Sequence, residues 1–350
     1  MNPFEGYCVF SADAWDDGSQ KDGGHTYWMQ GTLVASGNHT CSGLNWKSGA
    51  GTEDGNNENL LANSWAAPIK IRAFEAGDFV KTDATIYIFN STSNSAYVSV
   101  AGNYTAYPIN SAELTATIPS MQSFSVFTNA DGGSSVTLNY KRLVYDPAVA
   151  GLAIEANHAP RRESYETDEQ DETDRMHLYV TGDSEYSDVV YLIENDECTN
   201  GFDNGWDGRK LFGESYAPQL YVQTNDGKMS VNCSPSIEGT VIGLTKGDED
   251  DAYTFTFDYD ERYEWYLNDL HEQVSTRITP NNSYRFYTTD DDAARFIISR
   301  IPIDRVEVAT GLGNSTGAEG AASARKLLIN GILYIIRDGR MFDATGVMVR

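Results

Sequence analysis

Residues 219–233 read QLYVQTNDGKMSVNC. Two runs rich in Val, Leu, Tyr and Met flank the corner Asn225-Asp226-Gly227. An Asp-Gly pair accepts the positive φ that a tight hairpin turn demands, so the stretch predicts two paired strands. The same pattern repeats outward on both sides. Downstream of 175, strands are expected at 176–181, 189–194, 219–224, 228–233, 253–259 and 295–299. A helix has room only as a short turn near 265–270. Upstream, strands are expected at 84–90, 96–101, 123–127 and 136–145. The last of these alternates Val136, Leu138 and Tyr140 with Thr137, Asn139 and Lys141, as a half-buried strand should. Polar loops rich in Gly, Asp and Asn separate the runs at 16–24 and 47–59.

Many short strands at this spacing predict an all-β fold built as two tandem β-sandwich domains, jelly-roll or Ig-like. Residues 155–175, EANHAPRRESYETDEQDETDR, lack β-branched apolar side chains and read as an acidic linker or loop. They divide a first sandwich module at 1–154 from a second at 176–302. Residues 303–350 form a third unit: a Gly/Ala/Ser-rich tether, then KLLINGILYIIRDGRMFDATGVMVR. Asn330-Gly331 and Asp338-Gly339 punctuate that tail into strands at 326–329, 332–336, 340–342 and 347–349. A meander this small needs a neighbour or a partner to bury its apolar side chains.

Charge narrows the function classes. There are 51 Asp+Glu against 25 Lys+Arg, a formal net charge of −26, and such a field repels phosphate backbones. Nucleic acid is therefore excluded as a partner, and adhesion to anionic lipid is disfavoured. No apolar run approaches the ~20 residues that span a bilayer. The opening MNPFEGYCVF carries no basic start with an apolar stretch behind it, so the chain is read as a piece of a longer protein whose leader lies upstream. The four cysteines, Cys8, Cys41, Cys198 and Cys233, contain no CxxC and suit an oxidising compartment. Pairs 8–41 and 198–233 are expected, because each stays within one module; four free thiols remain the alternative.

Residues 194–213, ENDECTNGFDNGWDGRKLFG, hold the best site candidate. Asp196, Asn200, Asp203 and Asp207 offer the hard oxygens that calcium prefers, and Gly201 and Gly205 permit tight turning. The loop lacks the closing Glu of an EF-hand, and a turn in which Asp side chains accept from backbone N–H groups fits equally. Trp28, Trp46, Trp65 and Trp206 could present flat faces to a sugar or could anchor the core. The acidic runs 248–251 and 290–292 read as solvated turns. No GxSxG nucleophile elbow, no HExxH and no GxGxxG after a strand is read, and the five histidines are scattered. With 51 acids no carboxylate pair stands out for glycoside hydrolysis, so no enzyme is expected and no cofactor beyond calcium.

The tail LLINGILYIIRDGRMFDATG, with its Gly-rich lead, resembles the C-terminal sorting domains of the type IX secretion system. The 194–213 stretch and its neighbours QLYVQTNDGKMSVNC and IEGTVIGL are similar to the β-sandwich that often precedes such tails, and NLLANSWAAPI and ATIYIFN resemble a companion module. The resemblance implies a secreted or cell-surface protein, with export machinery as partner and Lys326, Asn330, Gly331, Tyr334, Arg337, Asp338, Gly339 and Gly346 as the address. A non-enzymatic surface module is the leading expectation. A carbohydrate-binding or adhesin module that uses calcium to grip a glycan or host-surface ligand is the alternative.

Overall fold

A computed structural model describes residues 2–8, 34–49, 56–90, 102–111, 114, 116–144, 175–259, 263–302, 306–308, 325–329, 332–337, 340–343 and 346. The fold is all-β. Its first part contains β1 (His39–Ser42), β2 (Glu58–Ala62), β3 (Ile69–Lys70), β4 (Phe79–Val80), β5 (Thr85–Phe89), β6 (Tyr104–Pro108), β7 (Thr117–Ile118), β8 (Ser123–Phe127) and β9 (Ser135–Leu138). They form sheets of order β2-β8-β5-β6, β1-β9-β4 and β3-β7. Val136 and Leu138 turn inward as the alternation requires. The expected strand does not run on to 145: Asn139 caps a short helix, α1 (Tyr140–Leu143), by accepting from Arg142 N.

The second part contributes β10 (Arg175–Gly182), β11 (Ser187–Glu194), β12 (Gly208–Arg209), β13 (Gln219–Thr224), β14 (Gly227–Ser234), β15 (Thr240–Thr245), β16 (Ala252–Tyr259), β17 (Trp265–Asp269), β18 (Val274–Ile278), β19 (Ser283–Tyr287) and β20 (Asp292–Ser299). Their order is β18-β17-β20-β15-β13-β14-β11-β10-β16-β19, with β12 set against β14. The hairpin read at Asp226-Gly227 is present: β13 and β14 pair Thr224 with Gly227, whose φ is +117°. Residues 265–270 are not a helical turn. Trp265 and Leu267 are buried in β17, which pairs with both β18 and β20.

The sheet curls over one apolar core. Phe296 of β20 meets Phe255 of β16 at 4.8 Å and Phe286 of β19 at 4.9 Å, although these strands lie far apart in the order. Inside it, Arg295 donates to both oxygens of Asp269 and to the Tyr287 carbonyl, and Tyr284 Oη donates to Asp269 Oδ2. This buried charge is therefore fully clothed in hydrogen bonds.

The tail forms a four-stranded antiparallel sheet of β21 (Val306–Val308), β22 (Arg325–Ile329), β23 (Ile332–Arg337) and β24 (Arg340–Asp343). Leu328 pairs with Leu333, and Ile335 with Phe342. Residues 306–308, expected to be tether, instead extend the sheet by pairing with 327–329. Lys326, Tyr334 and Arg337 lie in these strands, and Gly346 takes a φ of +83°. Asn330, Gly331, Asp338, Gly339 and the strand expected at 347–349 lie outside the described residues, as do 96–101 and all of the expected linker except Arg175.

One apolar cluster runs across the two parts, joining Ile86, Ala106 and Tyr107 to Ile193, Leu211 and Val231. Glycines permit that closeness. A Cβ on Gly208 would stand 2.8 Å from Ala106 Cβ, and one on Gly213 only 1.8 Å from the Gly102 carbonyl oxygen. Since Gly102 O is backbone, it cannot swing aside. Gly213→Ala should therefore destabilise the protein by about 1–3 kcal/mol, whereas Gly77→Ala, where nothing stands within 4 Å, should stay within about 0.5 kcal/mol. Urea unfolding of the two variants measures the difference; equal midpoints would contradict the close seam.

Candidate functional site

The candidate site is the loop between β11 and β13. It begins at the disulfide Cys198–Cys233, whose Cα atoms are 6.0 Å apart, so the loop is tied to β14 near its start. Asp203 then accepts from Thr199 N, and Asp207 Oδ2 accepts from Asp203 N at 2.7 Å. Asp207 Oδ1 accepts from Cys233 N, also at 2.7 Å. Two carboxylates thus spend their lone pairs on backbone donors that the turn leaves free. Gly205 adopts a φ of +88° between them, a conformation that suits glycine.

From that turn the loop reaches into the first part of the chain. Ala84 N donates to Asn204 Oδ1 at 2.7 Å, Thr85 Oγ1 to the Asp207 carbonyl at 2.8 Å, and Asn110 N to the Gly205 carbonyl at 2.9 Å. Arg209 N donates to Tyr87 Oη, and its Nε donates to Asp83 Oδ2 at 2.7 Å. Asp83 is wholly buried, and Asn129 holds its other oxygen. Burial pushes the Asp83 carboxyl up while Arg209 and Asn129 pull it down. The guanidinium also lies 4.1 Å from the Phe202 ring centroid, a cation–π contact. Across the seam, Asn103 Nδ2 donates to the carbonyls of Ser187 and Pro218 at 3.0 Å each.

The four oxygen donors expected to hold calcium all lie in this loop. Asp203 and Asp207 come together, while Asp196 and Asn200 stay exposed on the loop surface. Among the described residues no group of three or more His, Cys, Asp or Glu is arranged to hold a metal ion. Trp65 cannot serve a sugar: it is fully buried, edge-on to Phe4 and Tyr140. Trp206 is half-buried against the shared core and Trp46 is half-buried on its loop. Trp28 lies outside the described residues. Cys8 and Cys41 are free thiols rather than the expected pair. Cys41 sits in β1 opposite Val136 with its side chain in the core, where burial pushes the thiol up to about 11, whereas Cys8 is exposed. The spacing Gly-x-Ser-x-Gly does occur, at 313–317, and it lies outside the described residues. Sequence reasoning missed Asp83, Asn103 and Arg209, because nothing local marks a residue whose partner lies over 80 positions away.

Asp207 gives the loop a pH signature. Burial pushes its carboxyl up to about 7, Asp203 adds to the rise, and the backbone donors of Asp203 and Cys233 oppose it. The folded state therefore binds a proton more tightly than the unfolded state does. Its favourable contribution is complete below the unfolded value near 4 and is lost as pH rises to about 7. Relative to Asp207→Asn, the wild type should lose stability across that window by up to about 1.4 kcal/mol per pH unit. Parallel stability–pH curves for the two proteins would contradict this.

Comparison with known proteins adds one similarity. The chain is 30% identical over 264 residues to the minor fimbrium subunit Mfa5 of Porphyromonas gingivalis. The alignment covers 69% of this chain and 20% of that protein, so the chain spans about a fifth of the relative's length. No family model matches the sequence, and no solved structure matches the fold.

Proposed function

We propose that this chain is a structural, non-enzymatic β module of a bacterial surface protein, delivered by its C-terminal tail and built to carry or space other parts of a fibre. The observation that carries this reading is the similarity to a fimbrium subunit over 69% of the chain. The seam supports it. Its Arg209–Asp83 pair and its backbone contacts use their polar groups on one another, as a load-carrying joint needs. The acidic surface, at a net charge of −26, keeps such a module soluble outside the cell.

The β21–β24 sheet is the address in this reading, and the export machinery is its partner. Deleting residues 326–350 from the protein in its native host should abolish its surface immunolabelling and leave the chain inside the cell envelope. Surface labelling equal to wild type would contradict delivery by the tail.

A further inference from the structure

Lys210 sits at the centre of the candidate loop with its side chain 0% exposed, and Asp188 beside it is 1% exposed. Nζ lies 2.5 Å from Asp188 Oδ2. Among the described residues, that oxygen is the one acceptor within hydrogen-bond reach of the side chain. A lysine ammonium brings three donors, and a buried charge with unmatched donors is costly. The other deeply buried ion pair shows the contrast. Arg295 places Nε, Nη1 and Nη2 on acceptors, and Asp269 is met by Tyr284 Oη and by the backbone N–H of His271 and Glu272. The Lys210–Asp188 pair has none of that clothing on its cationic side. Its carboxyl does: Leu220 N donates to Oδ2 at 2.6 Å, and Val189 N–H also donates to the carboxyl. Burial pushes the Asp188 carboxyl up against the pull of Lys210.

We propose that Lys210 and Asp188 condense into an intramolecular isopeptide bond. The ammonium first gives a proton to the carboxylate, leaving a neutral amine and a neutral acid. The Nζ lone pair attacks Cγ and the C–N bond forms. The Cγ–Oδ1 bond breaks, and Oδ1 leaves as water with the acid proton and one proton from nitrogen. Oδ2 remains as the amide carbonyl, still accepting from Leu220 N. Nothing is oxidised or reduced. The product carries one N–H where the ammonium carried three donors, and no charge remains in the interior. The bond closes a ring over the 22 positions from Asp188 in β11 to Lys210 in the loop. That ring interlocks in sequence with the one closed by Cys198–Cys233.

The test is the intact mass of the purified, reduced chain, followed by peptide mapping. Wild type should weigh one water less than its sequence, and a branched peptide should link residues 188 and 210. Lys210→Met and Asp188→Ala should each restore the full mass. A wild-type mass equal to that of the sequence, with Lys210 recovered in a linear peptide, would overturn the proposal. So would a water deficit that persists in Lys210→Met. The wild-type arm stands even if a variant folds poorly.

Discussion

Arg209 reaches out of the loop between β11 and β13 and sets its guanidinium on Asp83, whose carboxylate has no contact with solvent. The joined architecture depends on that contact. A carboxylate buried without a cation would cost several kcal/mol, so the first part of the chain has a strong reason to hold the loop. The loop has equal reason to stay, because its backbone and Asn204 supply acceptors to Ala84, Thr85 and Asn110. Behind it, Cys198–Cys233 and the bond from Cys233 N to Asp207 pin the same segment to β14. Breaking the seam would expose an ion pair, several backbone groups and part of the shared apolar core at once.

Much of this is written locally and can be read. Alternation at Val136 and Leu138, and the Asp226-Gly227 corner, act over a few residues, and both form strands where expected. Cys198–Cys233 follows from keeping pairs inside one module, but the same rule fails for Cys8 and Cys41 because Cys41 faces the core from β1. Trp265–Asp269 escapes a local reading because its burial depends on strands that flank it on both sides, which five residues do not reveal. The glycines of TNGFDNGWDGRKLFG are conspicuous, yet the purpose of Gly208 and Gly213 lies in Ala106 and Gly102, over a hundred positions upstream.

The candidate loop shows how a composition can serve two chemistries. Asp203 and Asp207 among glycines suit a cation as well as a turn. Here the backbone N–H groups of Thr199, Asp203 and Cys233 reach the carboxylate oxygens, as the turn reading requires. The loop then acts as a joint between two β units. If the chain serves in a surface fibre, as proposed above, such a joint would pass force from one unit to the next without opening.

Hydrogen exchange followed by mass spectrometry across a denaturant series tests that account most directly. Peptides covering β5 in the first part and β16 in the second should lose protection at one common denaturant concentration, because the seam makes the two parts cooperative. Protection lost from β5 well before β16, or the reverse, would show two independent bodies and contradict the joint.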